Sequence, residues 1–271
     1  MLEYLTLTLF INMGTARLFV AFAIEAPWPE NLPLARSLNR EDRHLTIAFL
    51  GNTHREQTLD AFKNLPLPLL SLGLACYFDA PLFLPDDSPN VVSWHVELPH
   101  EEEFHQYVNA VHAHLNTPQE KKWLPHVTLG RRPFNKNLWA ESFYPIPMVA
   151  SKICLYESLG NLRYAVLATH DLVPPIEIIE HTADIAFLLR GLTMNDLFHH
   201  ALVALAFEDP NFCRFRHESQ KITTIDDIIF QLGHYLTSLD SKEGSPFKGV
   251  SLHGHLKEKH GLLEWEMIVD V

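Results

Sequence analysis

Two stretches of this chain, His44 to Gly51 and His126 to Arg131, alternate side chains of different polarity and are rich in apolar and β-branched residues. A period of two is the mark of a strand. In each stretch a histidine and a threonine stand two residues apart, so His44 and Thr46 share one face, as do His126 and Thr128, while Leu45 and Val127 turn the other way. Further elements follow from the same kind of pattern. Arg17 to Ile24 is a continuous apolar run that reads as a central strand, followed by a connector punctuated by Pro27, Pro29 and Pro33. Residues 54–64 place Leu59 and Phe62 at helical spacing, with Leu65 just beyond. Leu69 to Phe83 and Val91 to Leu98 read as strands on either side of the turn signal Asp86-Asp87-Ser88-Pro89-Asn90. Residues 101–115 put Phe104, Tyr107, Val108, Val111 and Leu115 at helical spacing behind an acidic first turn. Met148 to Glu157 and Arg163 to Leu172 predict a closing hairpin around Ser158-Leu159-Gly160-Asn161.

The order strand, strand, helix, strand, strand, helix, strand implies an α/β (α+β) domain built by internal duplication, with two lobes facing one groove. Two imidazoles and two hydroxyls then converge on that groove. One such His-x-Thr triplet is expected about once by accident in a chain with 17 histidines. Two copies, each ending an apolar run in Leu-Gly and each followed by a polar loop, are harder to produce by accident. The alternative is a pair of ordinary strand histidines satisfied by neighbours. As chemistry, two imidazoles suit a reaction in which one group takes a proton from water and another gives one to a leaving oxygen, since a pKa near 6.5 makes both forms accessible at neutral pH. Each such transfer contributes on the order of 10²- to 10⁴-fold in rate. Threonine hydroxyls donate hydrogen bonds to a non-bridging phosphate oxygen and would hold phosphorus between the rings. That arrangement requires no metal.

Composition narrows the class. The 271 residues suffice for two domains, and 47% hydrophobic with 20% charged residues is the make-up of an ordinary soluble protein. Cys76, Cys154 and Cys213 are an odd number without C-x-x-C spacing, which sets aside disulfide and zinc-ribbon readings and points to a reducing compartment. A net charge of -12 argues against broad non-specific nucleic-acid binding. Cations nevertheless gather near the two motifs: Arg36, Arg40 and Arg43 before the first, Lys121, Lys122, Arg131, Arg132 and Lys136 around the second. They read either as solubilising charge at strand ends or as a phosphate-attracting rim. Residues 2–12 are apolar but too short to span a bilayer and lack the basic region and cleavage site of a secretory signal, and Met13 is an alternative start. The expectation is a cytoplasmic protein with no membrane partner.

Residues 17 to about 172 resemble the 2H phosphoesterase superfamily, specifically the RNA 2′,3′-cyclic phosphodiesterases. The resemblance is carried by Arg17-Leu18-Phe19-Val20-Ala21, both His-x-Thr motifs, Leu155-Tyr156-Glu157-Ser158 and Arg163-Tyr164-Ala165-Val166-Leu167. It implies a two-lobed pseudo-symmetric fold and cofactor-free hydrolysis of 2′,3′-cyclic phosphate RNA ends to a 2′-phosphate, with His44 and His126 catalytic. His126 is the expected base and His44 the expected acid. Thr46, Thr128 and Arg131 are expected on the phosphate and Tyr156 against a base. The segment between the first strand and His44 departs from the family, being too short for its first helix.

Val173-Pro174-Pro175 resists both helix and sheet, so the first domain is placed at 1–173 and a second at 176–271. The second carries 8 Lys and Arg against 15 Asp and Glu, a net of -7. Its pattern predicts two strands over Ile176 to Gly191, a helix capped by Thr193, a second helix from Ile225 to Leu239, and paired strands at Gly249 to Leu256 and Leu262 to Val271. Glu180-His181-Thr182-Ala183-Asp184, Gly191-Leu192-Thr193, Val250-Ser251-Leu252-His253 and the closing Glu264 to Val271 resemble archease, which assists the GTP-dependent RNA ligase of tRNA splicing and RNA repair. That resemblance implies a smaller α/β domain, a ligase as partner, and a calcium or magnesium site at Asp184 and Asp270. The second helix, with Gln231-Leu232-Gly233-His234, and the short stretch before Gly249 depart from the family. Two rival readings remain at this level: a non-catalytic ligase accessory that merely holds RNA ends, and 2′-5′ RNA ligation by reversal of the same chemistry.

Overall fold

The computed structural model describes residues 14–118, 122–218 and 221–271, so the apolar run at 2–12, Met13 and Lys121 lie outside the described residues. The front of the molecule contains β1 (Thr15–Glu25), β2 (Arg36–Ser37), β3 (His44–His54), α1 (Arg55–Lys63), β4 (Leu74–Leu84), β5 (Val91–Glu97), α2 (Glu101–His114), β6 (His126–Arg131), α3 (Lys136–Glu141), β7 (Ile146–Gly160) and β8 (Arg163–Asp171). These strands form one sheet in the order β1-β3-β6-β5-β4-β7-β8, and β2 adds to β6. The path closes on itself because β7 is long: Ile146–Ala150 pairs with β4, and Lys152–Glu157 pairs with β1. One lobe is therefore built on β1 and β3, the other on β4, β5 and β6, and β3 meets β6 between them. Between β1 and β3, a segment too short for the family's first helix, the chain makes β2 and a short 3-10 turn at Arg40–Asp42.

Alternation decides what each strand buries. Leu18, Val20 and Phe22 of β1, Leu45 and Ile47 of β3, Trp94 and Val96 of β5, and Val127 and Leu129 of β6 form the front core, with Phe62 of α1 and Phe104, Val108 and Val111 of α2 packed against it. The opposite face is left for the groove. There, Phe19, Ala21, Cys154 and Tyr156 make a separate small cluster.

The rear comprises β9 (Ile176–Ile179), β10 (Ile185–Gly191), α4 (Met194–Glu208), α5 (Ile225–Glu243), β11 (Gly249–Lys259) and β12 (Leu262–Asp270), with the strands in the antiparallel order β11-β12-β10-β9. Both helices begin at capping boxes, Thr193 with Asp196 and Thr224 with Asp227, which satisfy main-chain N–H groups that a helix start leaves unpaired. α4 is apolar on nearly all sides because it is covered on nearly all sides. It lies between the rear sheet and the front one, and Ala75 and Tyr77 of β4 belong to the rear core. The change of sheet falls at the prolines, yet the apolar packing runs across it. Polar contacts do the same: His199 bonds the Ala75 carbonyl at 2.9 Å and His100 meets the Asp196 carboxylate at 2.8 Å. Among the described residues no helix is long and apolar enough to cross a membrane.

Candidate active site

β3 and β6 are antiparallel and registered on one pair, Leu45 opposite Val127. With both of those side chains in the core, the flanking residues turn to the groove. His44 stands level with Thr128, and Thr46 level with His126, so each histidine lies diagonally across from the other, about 7 Å between Cβ atoms at ordinary strand spacing. A local two-fold axis through the Leu45–Val127 pair exchanges the two motifs.

The equivalence extends to hydrogen bonds. His44 Nδ1 lies 2.7 Å from the carbonyl of Asp42, and His126 Nδ1 lies 2.8 Å from the carbonyl of Leu124, in each case two residues upstream. A carbonyl only accepts, so both rings carry their hydrogen on Nδ1 and leave Nε2 for chemistry. Trp123 donates its indole N–H to the Thr46 carbonyl at 2.8 Å and steadies β3 beneath the motif.

Each motif is followed by one extra residue. Ala21 and Val20 of β1 pair with Thr46 and Ala48, skipping Ile47, and Ser93 and Val92 of β5 pair with Thr128 and Gly130, skipping Leu129. A bulge of this kind reverses the parity of every residue beyond it. The fifth residue after each histidine, Phe49 and Arg131, is thereby aimed into the groove although simple alternation would place it in the core. Phe49 pairs with Phe19 on the groove face.

The surroundings of the two rings differ. His44 is buried in a box of aromatic rings, with centroid distances of 4.7 Å to Phe19, 5.4 Å to Tyr156 and 5.0 Å edge-on to Tyr164. Burial takes its pKa down to about 4; the Asp42 carbonyl opposes that fall and the nearby His126 adds to it. His126 is half-buried, and its pKa is lowered chiefly by burial, with the Leu124 carbonyl opposing and His95 adding. The strand beside it supplies polar partners that the sequence pattern did not single out. His95 is registered on His126 and Ser93 on Thr128, the two hydroxyls 3.4 Å apart, and His95 Nδ1 meets the Asp79 carboxylate at 2.6 Å. A Ser-x-His spacing in a strand was visible; its alignment on β6 was not.

Beside His44 opens a polar pocket of about 210 Å³ lined by Arg17, Arg36, Arg131, Phe49, Tyr164 and the β7–β8 turn. Arg131, expected on the phosphate, lines this pocket. Tyr156 is not where a base would stack: it lies buried beneath Phe19, nearly parallel at 5.1 Å, because its strand turns it inward. Phe49 and Tyr164 present the open aromatic surface in its place. The cationic rim is also smaller than expected. Arg43, one residue before His44, points to the core and stacks over Trp28 at 4.4 Å, Lys122 pairs with Glu101 at 3.5 Å, and Lys136 lies over the Phe83 ring at 5.2 Å.

In the rear sheet Ile185 is registered on Val269, which brings Asp184 level with Asp270 at the strand ends. Asp184 faces His181 Nδ1 at 3.4 Å. Among the described residues no group of three or more His, Cys, Asp and Glu side chains is placed to hold a metal ion. Two carboxylates fall short of the roughly six to eight oxygens that calcium takes, and magnesium, which keeps several waters, asks for fewer protein ligands.

No family model matches the chain, and no curated protein matches it. Among solved structures, E. coli LigT complexed with 3′-AMP is 20% identical, with a TM-score of 0.42 over 58% of this chain and 98% of that one. A structure described as a phosphoesterase is 20% identical, with a TM-score of 0.41 over 58% of this chain and 98% of that one. TT0787 of Thermus thermophilus is 21% identical, with a TM-score of 0.40 over 58% of this chain and 97% of that one.

Proposed function

We propose that the front of the chain hydrolyses the 2′,3′-cyclic phosphate at an RNA end by two-histidine acid–base catalysis without a metal. The observation that carries this reading is the matched anchoring of both Nδ1 atoms on main-chain carbonyls, which frees two Nε2 atoms on one groove face with a threonine beside each. In the reaction, one Nε2 takes a proton from water as its oxygen attacks phosphorus. The other ring gives its Nε2 proton to the ribose oxygen that leaves. Thr46 and Thr128 donate to the non-bridging oxygens, and Arg131 offsets the charge that builds on them.

The deeper burial of His44 supports roles opposite to those expected from sequence. His44, with its pKa near 4, stays neutral at physiological pH and serves as the base. His126 is more open, and a bound phosphate anion beside it favours its protonated form, which makes it the acid. With O3′ beside His126 the product is a 2′-phosphate, and phosphorus NMR of the product locates it. The test is turnover of a nucleoside 2′,3′-cyclic phosphate in EDTA: the wild type works and both His→Ala variants lose most activity. Variants as active as wild type would remove the acid–base assignment.

For residues 176–271 we propose the ligase-accessory role implied by the archease resemblance, supported by the level positions of Asp184 and Asp270 at the ends of adjacent strands. Stimulation of a GTP-dependent RNA ligase should survive loss of His44 and His126 and disappear with Asp184→Ala. Undiminished stimulation by the Asp184 variant counts against it.

A further inference from the structure

The pocket beside His44 has a feature that hydrolysis of a lone cyclic phosphate does not use. β2 is only two residues long, yet it is registered on β6 with Arg36 opposite Arg131 and Ser37 opposite Gly130. The contact is closed by the Leu38 N–H, which donates to the Leu129 carbonyl at 2.8 Å. It depends on Gly130. A Cβ there would lie 2.9 Å from the Ala35 Cβ and 3.3 Å from the Arg36 carbonyl, so any larger residue pushes β2 off its neighbour. The outcome is two arginines directly opposite on adjacent strands, an arrangement that costs energy unless an anion lies between them.

Arg17 completes the set from β1. The three arginines line the pocket together with His44, Phe49 and Tyr164, and among the described residues no carboxylate lines it. Asp42, which lies close to Tyr164, is held by Asn39 at 3.2 Å. Tyr164 reports the convergence: burial pushes its phenol above the ordinary range, while Arg131 and Arg17 are close enough to oppose that rise.

We propose that Arg17, Arg36 and Arg131 form a second phosphate subsite, so that the substrate is a cyclic-phosphate nucleotide bearing a further phosphate on its 5′ side. Planar guanidiniums match phosphate oxygens in pairs, and the exposed Phe49 ring lies where the intervening base can rest. This subsite deepens the hydrolase reading and rests on it for the identity of the first phosphate.

The experiment compares kcat/KM for a nucleoside 2′,3′-cyclic phosphate, the same compound with a 5′-phosphate, and a dinucleotide ending in the cyclic phosphate. The wild type should prefer at least one of the latter two by tenfold or more. Arg36→Gln should bring that ratio close to one, Arg36→Lys should retain part of it, and Gly130→Ala should reproduce the loss without removing a charge. A preference shown only by the dinucleotide identifies the bridging diester as the natural anion; equal rates for all three substrates overturn the proposal. Calorimetry with a nucleoside 3′,5′-bisphosphate against the 3′-monophosphate separates this from the chemistry. Tighter, Arg36-dependent binding of the bisphosphate without turnover of any substrate would uphold the subsite and refute the hydrolase reading, and equal binding of the two would refute the subsite.

Discussion

The two halves of the groove carry the same motif, the same Nδ1 anchor and the same bulge, but different neighbours. Beside His44 and Thr46, β1 places Ala23 and Ala21, small enough for Phe19, Tyr156 and Tyr164 to close around the ring. Beside His126 and Thr128, β5 places His95 and Ser93, with Asp79 behind. One half is dry and aromatic, the other polar and hydrogen-bonded. Duplicated residues therefore need not share a role: under the proposed reading the enclosed ring is the base and the more open ring the acid.

The largest expected effect tests what the halves share. Replacing either His44 or His126 with Ala should lower kcat on the order of 10²- to 10⁴-fold. Because the pair acts as a unit, the double variant should lose little more than the worse single one. A double loss equal to the product of the singles would mean that the rings act independently.

Opening the aromatic box should erase the difference between the halves. Phe19→Ser admits water to the His44 box and should raise that pKa from about 4 toward the ordinary value near 6.5. The base would then be protonated at mildly acidic pH, so the acid limb of the kcat/KM profile should move up, while a profile that stays in place would show that the aromatic box does not set the base.

A smaller effect is expected on the polar side. His95 helps to hold the His126 pKa down, so His95→Ala should raise it and extend the alkaline limb, with only a few-fold change in rate near neutrality. An alkaline limb that shifts downward would contradict the assignment of His126 as the acid.

The smallest is a stability effect. His44 in the folded state has a pKa near 4 against about 6.5 unfolded, so the unfolded chain binds more protons between those values. Stability is complete above about pH 6.5 and is lost as pH falls toward 4. Burial lowers His200 to about 4 as well, and His199 in the same direction, so they add to the same slope. His44→Asn should flatten part of the fall in Tm over that window, and an unchanged slope would mean that the ring is not held neutral by burial.

Much of the fold was legible along the chain. Periods of two and 3.6 marked β3, β5, β6, α2 and the rear elements to within a few residues, and Thr193 announced the start of α4. The short α3 and the turn at Leu69–Ser71, where Leu70 and Ser71 take positive φ, left no such trace, since a single turn or a local reversal has no period to read.

What the sequence determined by itself was the pair of His-x-Thr faces, because side-chain direction within one strand depends only on its own alternation. Which residues stand beside those faces was decided in three dimensions. Ile47 and Leu129 each slip the register by one, and that slip turns Phe49 and Arg131 toward the groove. Pairing between strands far apart in the chain set His95 against His126, Arg36 against Arg131 and Tyr156 beneath Phe19. Cross-strand register is fixed by packing and bulges across the whole sheet, and no local period encodes it.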